Sequence, residues 1–559
     1  MPGKTDDDPE FGHRVVSRAA GRTLFDTADE LALQVPTSCG RTGRCRECIV
    51  EVTAGADALT PPTPAEGFLR GDFRLACQAE ITDSDAQVAF DVVRRRLRIV
   101  AGEADEREAP IDPKVTVLDG VVRWGDEEIE PLRGGVYGMA IDIGTTTCAL
   151  ELADLQTGRV IEVVTLENPQ RFGGSDVMNR ISYDTNPESH GELQYALRKA
   201  LNQEFKALYA RHQLDRREIY EIVIVGNATM RDMFFKLDVE PIGQKPYKST
   251  TETDVAAGLR ESTELLVKAH ELGLWCNPQA RVWGAPLIAS HVGGDVVADL
   301  VAIGFDPGAP GVRMLVDVGT NTEVIVATPG RIIAASCPAG PAFEGGEVTY
   351  GMQASDGAIE GVKIGTDGDY VLSVIGDVEP RGLCGSGLID LLAELRRTDA
   401  MTPKGVFADK ARTLEIDAVN GITFSRADAS ALAQAKAANT VGQWILMRHL
   451  GVAPDDIDTL YLAGGFASYI DVRNSIDIGF LAPVPEDRVV KVGNAALRGA
   501  RELLLSASAR ARLPALIAAI EHVELETTED FFELFVDGCQ FKPFLTPADP
   551  AKAGGRLVA

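Results

Sequence analysis

Hydrophobic and polar positions alternate near the start of the chain and settle into longer apolar runs further on. HRVVSR alternates as a strand does, TLFDTADELALQV opens as a second strand that runs into a short helix, and IVEV, FRLACQAEI and QVAFDVV are further strand candidates. Residues 13–97 are thus predicted to be one small unit, a mixed sheet with one helix. The next stretch, AGEADEREAPIDPK, is polar, acidic and broken by Pro110 and Pro113, so 98–134 reads as a linker. Within it, VTVLDGVVRWGDEEIEPL predicts a hairpin turning at Asp119-Gly120. From Val136 the pattern becomes α/β. YGMAIDIGTTTCALELADLQTGRVIEVVTLEN predicts three strands turning at 144–147 and 156–158, and MLVDVGTNTEVIVATPGRIIAASCP repeats that pattern. Helical stretches follow each copy, SHGELQYALRKALNQEFKALYARH and ADASALAQAKAANTVGQWILMRHL. The repeat predicts two related α/β lobes, 135–304 and 305–559, facing each other across a cleft.

Bulk numbers narrow the function classes. A chain of 559 residues predicts three or four domains, and 45% hydrophobic with 25% charged residues is ordinary globular composition. A net charge of -28 opposes binding to nucleic acid or to an anionic membrane, because polyanions repel. No apolar run is long enough to span a bilayer. The opening MPGKTDDDPEF lacks the apolar core of a secretory signal, and 1–12 is expected to be a disordered tail. Five of the nine cysteines, Cys148, Cys276, Cys337, Cys384 and Cys539, are scattered among apolar or small neighbours. They read as small core hydrophobes in a reducing, cytoplasmic protein without a disulfide framework.

The other four cysteines carry chemistry. Cys39, Cys45 and Cys48 crowd into SCGRTGRCRECIVEV, and Cys77 follows alone in RLACQAEI. The spacing is close to that of a plant-type [2Fe–2S] ferredoxin, and a mixed sheet with one helix suits a β-grasp ferredoxin domain. Gly40 and Gly43 let the loop curl and aim backbone N–H groups at the sulfurs. The alternative is a four-thiolate zinc site, though structural zinc sites usually show two short pairs. The basic run Arg94-Arg95-Arg96 is either a docking patch or the solvated end of a strand.

The two repeats share D-x-G-T-x-T, at Asp142-Ile143-Gly144-Thr145-Thr146-Thr147 and Asp317-Val318-Gly319-Thr320-Asn321-Thr322. An Asp at a strand end can hold Mg2+ through its water shell, and the Gly with successive N–H and hydroxyl groups can donate to phosphate oxygens. One such turn also makes any ordinary hairpin; two copies predict a polyphosphate clamped from both sides. In LYLAGGFASYID, Gly464 and Gly465 end an apolar strand and would let adenine or ribose lie against backbone; a tight strand-to-helix turn is the alternative. In GLCGSGLIDLL, Gly385 and Gly387 open an apolar helix and either touch nucleotide or pack helix on strand. Asp295, Asp176, Glu344 and Glu347 are candidate water-positioning carboxylates, Asp295 foremost; caps or surface groups are the alternative. His291 is expected to be structural. No G-x-x-x-x-G-K-[ST] loop and no dinucleotide fingerprint occurs, so electrons must arrive from another reduced protein.

In order and spacing these motifs resemble the acetate and sugar kinase, Hsp70 and actin (ASKHA) superfamily of ATPases, whose lobes are RNase H-like. With the N-terminal cysteine domain, residues 13–545 resemble the reductive activators of corrinoid proteins. GNATM, CPAGPAFEGGEVTYGM and GGFASYIDVRNSIDIGFLAPVP match as well. The resemblance implies a [2Fe–2S] cluster on Cys39, Cys45, Cys48 and Cys77, ATP and Mg2+ at the two turns, and one-electron reduction of Co(II) to Co(I) on a partner corrinoid methyltransferase protein. It also implies an external reduced electron donor and a possible homodimer. Three rivals stay open: an ATP-driven electron donor to another enzyme such as a dehydratase, a plain ferredoxin-type carrier with a degenerate ATPase, and a small-molecule kinase with a redox domain.

Overall fold

A computed structural model describes residues 15–17, 21–31, 33, 35–83, 88–93, 111–465 and 467–544. The predicted tail 1–12, the Arg94-Arg95-Arg96 run, most of AGEADEREAPIDPK, and Phe466 lie outside them. The chain divides into two compact units. One takes in residues up to 97 together with 113–284; the other takes in 98–112 together with 285–559.

The first unit begins with a four-stranded sheet in the order Val15–Ser17, Val88–Val92, Ile49–Ala54, Phe73–Leu75. Every described pair in it is antiparallel rather than mixed. Among the described residues the predicted second strand does not form: Thr23 makes one isolated bridge to Glu80 and then caps the helix Leu24–Glu30. Its hydroxyl accepts from the Asp26 N–H (3.1 Å), and Asp26 returns a bond from the Thr23 N–H (3.2 Å), so local capping outcompetes extension. FRLACQAEI likewise forms a strand only over Phe73–Leu75, with isolated bridges at Glu80 and Ile81. Leu24, Phe25, Val50, Leu75, Val88 and Phe90 are all buried beneath the sheet.

The region expected to be linker and hairpin holds an antiparallel three-stranded sheet, Val115–Leu118, Val121–Trp124 and Glu127–Pro131. Asp119 and Gly120 both take positive φ (51° and 75°), the backbone of a type I′ turn, as the sequence predicts. Trp124 donates its indole N–H to Glu221 (2.9 Å), fixing this sheet to the lobe behind it.

The two lobes are built alike. In the first unit the order is Val160–Glu167, Thr147–Asp154, Tyr137–Ile143, Ile219–Gly226, Arg281–Gly284, with Leu265–Lys268 at the edge. In the second it is Arg331–Cys337, Thr322–Thr328, Arg313–Val318, Thr459–Ala463, Val489–Gly493, with Ile520–His522 at the opposite edge. In both, the first three strands form an antiparallel meander and the fourth and fifth add in parallel. The repeat predicts two such related lobes, and their pattern is the RNase H-like one the ASKHA resemblance implies. The first lobe carries the helix Glu192–His212, the second the helix Arg426–Leu450. The latter is delimited by a Ser425–Asp428 capping box and by Gly451 in the left-handed region (φ 65°). By packing, the helix Gly294–Ala302 belongs with the second unit, its main neighbour being the helix Ala495–Leu505. Among the described residues no helix is long and apolar enough to cross a membrane.

Candidate functional site

The four predicted cysteines come together as two pairs. Cys48 and Cys77 lie Sγ to Sγ at 3.4 Å, and the Cys39 thiol is held by Thr42 and by the amide and thiol of Cys45. Three are buried and Cys39 is half-buried. The loop owes its curl to left-handed backbone at Gly40, Arg41, Gly43 and Arg46 (φ 65°, 67°, 76° and 54°). A side chain at Gly43 would press Ala65 and Gln78 at 3.1 Å, so glycine is required there. As predicted, amides reach the sulfurs: Gly43 donates to Cys77 and Cys45 to Cys39. The Gln78 amide adds a bond to Cys77 Sγ (3.3 Å). The Thr42 hydroxyl first, then the amides, pull the Cys39 thiol down to about 5; the Cys48 thiol pulls Cys77 down to about 6 and is itself pushed up in return. A buried Glu66–Arg74 ion pair (2.8 Å), with the Leu75 N–H also on Glu66 (2.9 Å), fixes the strand that delivers Cys77.

This loop is seated on the first lobe. Tyr195, on the helix Glu192–His212, donates to the Cys45 carbonyl (3.2 Å), Lys199 pairs with Glu47 (2.7 Å), and Glu192 pairs with Arg46. A small cavity closes over the contact, lined among others by Pro36, Val93 and Ala196.

The first D-x-G-T-x-T turn is tightly braced. Asn227 donates to the Thr145 hydroxyl (3.1 Å), Asn168 donates to the Gly144 carbonyl (2.8 Å), and a Cβ on Gly144 would meet Thr147 O at 2.5 Å. Asp142, half-buried, stands across the hairpin from Ala149.

The second turn differs in charge. Asp317 stands across its hairpin from Glu323. Asp295 and Asp299, one turn apart on the helix Gly294–Ala302, complete a carboxylate group: Asp299 hydrogen-bonds Asp317, and the charges of Asp295 and Asp317 bear on Glu323. Glu323 and Asp299 are 4% and 0% exposed. Burial and then Asp317 push Asp295 up to about 7; burial raises Asp317 against the Asp299 bond, and raises Glu323 well above the carboxylate range. Thr320 donates its hydroxyl to Glu344, and the Gly340 N–H donates to the Thr320 carbonyl (2.8 Å). Asp176 caps the helix Val177–Asp184 through the Asn179 N–H (2.8 Å), and Glu347 is exposed.

Gly464 abuts this turn. Its φ is 114°, and a Cβ there would sit 2.1 Å from the Val318 carbonyl oxygen, whereas Gly465 faces open space. Gly387 lies against the strand Ala358–Ile364, where a Cβ would meet Ile359 O at 2.1 Å, so helix-on-strand packing accounts for that glycine. Gly385 opens the helix Gly385–Arg397. Sequence reasoning missed Asp299 and Glu323. The available signals were an acid four residues after Asp295 in an apolar helix, and an acid opposite Asp317 in a hairpin whose register the turn fixes.

Residues 6–82 match the 2Fe-2S iron-sulfur cluster binding domain, 137–307 the RACo middle region, and 311–546 the C-terminal domain of RACo, the ASKHA domain. The corrinoid activation enzyme RamQ of Eubacterium limosum is 30% identical, over 93% of this chain and 96% of its own. The [Co(II) methylated amine-specific corrinoid protein] reductase of Methanosarcina barkeri is 25% identical, over 72% of this chain and 76% of its own. A solved structure titled a reductive activator for corrinoid,iron-sulfur protein superposes with a TM-score of 0.69 at 26% identity, covering 94% of this chain and 96% of that one. The fold and its cysteine loop define an ASKHA-type protein joined to a [2Fe–2S] ferredoxin domain. The chain belongs to the family of reductive activators of corrinoid proteins.

Proposed function

We propose that this protein returns inactive Co(II) on a partner corrinoid protein to Co(I), one electron at a time, and that ATP binding and hydrolysis drive the step. The observation that carries the reading is the joining, in one chain, of a seated four-thiol loop to twin phosphate turns, in a protein alike over nearly its full length to a corrinoid activation enzyme. Cys39 and Cys45 would hold one iron and Cys48 and Cys77 the other; the cluster supplies single-electron chemistry. Plant-type clusters lie near about −400 mV. A more negative acceptor makes transfer uphill by roughly 2.3 kcal/mol per 100 mV, which is the reason to involve ATP.

The residues divide the nucleotide's work. Thr145, Thr146, Thr320 and Asn321, with the amides beside Gly144 and Gly319, face phosphate oxygens. Asp142 on the first lobe and Asp317 on the second are the carboxylates that would hold Mg2+, which would supply positive charge against their own. Asp295, raised to about 7, takes the proton from the attacking water. Gly465 presents open backbone to the adenosine. The one-electron balance is simple: the protein's centre is oxidised by one electron as cobalt is reduced by one, and an external reduced donor restores it.

Mixing the anaerobically reduced protein with a Co(II) corrinoid protein, with and without Mg-ATP, and following the cobalt absorbance tests the reading. Co(I) should appear with ATP and be lost in Cys48→Ser. ATP hydrolysis with no Co(I) from any corrinoid protein of the same cell would favour a donor to another enzyme; phosphate transfer to a small molecule would favour a kinase.

A further inference from the structure

We propose that Asn168 is a positioning residue that couples the first phosphate turn to the seat of the cysteine loop, through the segment 167–173; the proposal rests on the nucleotide reading above. Asn168 is 1% exposed. It grips the turn twice: its N–H donates to the Thr146 carbonyl (2.8 Å) and its side-chain amide to the Gly144 carbonyl (2.8 Å). Buried bonds of this kind cannot be exchanged for water, so a turn that shifts around phosphate must carry Asn168 with it.

Asn168 also caps the short helical turn Pro169–Gly173, and that turn touches the ferredoxin domain directly. Arg171 forks between Glu167 (2.7 Å) and Glu51 (2.6 Å), the latter on the strand that follows the cysteine loop, with Asp91 also acting on the guanidinium. Phe172 meets the edge of Phe68 with ring centroids at 6.0 Å, and Tyr183 donates to the Phe68 carbonyl. A second branch reaches the thiols more closely. Asn168 and the fully buried Gln170 bond to each other through side chain and backbone (3.1 and 2.9 Å). Gln170 donates to the Leu193 carbonyl (3.2 Å), and two residues on along that helix Tyr195 holds the Cys45 carbonyl.

Each link is a packed or hydrogen-bonded contact between elements with fixed partners, which is what a coupling route requires physically; demonstrating it requires measured coupling. An ordinary brace for a hairpin would need the two bonds to the turn. It would not need the same seven residues to supply the ion pair, the aromatic edge and the amide that seat the neighbouring domain.

The test uses the full chain with its cluster, and Mg-AMPPNP as probe. Amide hydrogen exchange is followed over residues 39–48, and nucleotide binding is measured in parallel. In the parent protein Mg-AMPPNP should change exchange in that loop. In Asn168→Ala, and in the milder Arg171→Ala, nucleotide should still bind while the change in the loop shrinks at least about 5-fold, the low end of allosteric coupling factors. Nucleotide bound with no loop response in the parent, or an undiminished response in Arg171→Ala, would overturn the coupling and leave the proposed function standing. Failure of the parent to bind nucleotide would sink both. Should Asn168→Ala not fold, Arg171→Ala decides.

Discussion

The two D-x-G-T-x-T hairpins share strand order but not register: Ile143 pairs with Cys148 across a four-residue turn and Val318 with Thr322 across a three-residue one, and different residues face their aspartates. Ala149 lies opposite Asp142, and Glu323 lies opposite Asp317. Like charges directly across an antiparallel pair are destabilising, and in the second hairpin Asp295 adds to the repulsion. The first hairpin instead surrounds its turn with amides, from Asn168 and Asn227. The same fold thus yields one half whose turn is braced by amides and one half that gathers buried carboxylates. Proteins keep strain of that sort at working sites and offset it elsewhere.

That contrast can be broken. Glu323→Gln should raise the melting temperature of the apoprotein by a few degrees, in keeping with a stability change of about 1 kcal/mol, while lowering ATP turnover by about 10-fold or more. A loss of both stability and turnover, read by calorimetry and phosphate release, would show the pair to be merely structural. Glycine substitutions sharpen the difference in rigidity. Gly144→Ala, with Thr147 O at 2.5 Å, should cost about 1–3 kcal/mol, whereas Gly319→Ala, whose nearest neighbour is Asn321 O at 3.3 Å, should cost under about 1 kcal/mol. Denaturant unfolding ranks them, and equal losses would remove the distinction.

How much of this was legible in the chain follows from what each signal depends on. The repeat, the Asp119-Gly120 turn and the cysteine loop were readable because they are local: period, turn chemistry and thiol spacing survive in sequence. The strand expected at Thr23 failed because its hydroxyl found a better local partner in Asp26. Asp299 and Glu323 were hidden because their meaning lies in a cross-strand register and a helix face brought to it from a separate segment. The role of 167–173 was invisible for the same reason: ENPQRFG looks like a loop until Asn168 and Arg171 are seen facing opposite ways.

A smaller effect belongs to the second half alone. Lys436, fully buried, donates to the carbonyls of Gln540 (2.7 Å) and Ile478 (3.3 Å), and burial pulls it down to about 7. The unfolded chain keeps that proton up to about 10.4, so between these values it binds more protons than the folded one. Stability of the second unit should therefore rise from pH 7 toward pH 10, and Lys436→Met should flatten that slope. A slope unchanged in the variant, in melts taken across that range, would assign the dependence to other groups.

The most direct test of the division of labour compares Asp142→Asn with Asp317→Asn for Mg-ATP hydrolysis, with affinity measured alongside. Turnover should fall at least about 100-fold in Asp317→Asn, the scale of losing a principal electrostatic group, and about ten times less in Asp142→Asn. Equal losses, or the larger loss at Asp142, would contradict the placement of the chemistry in the second half.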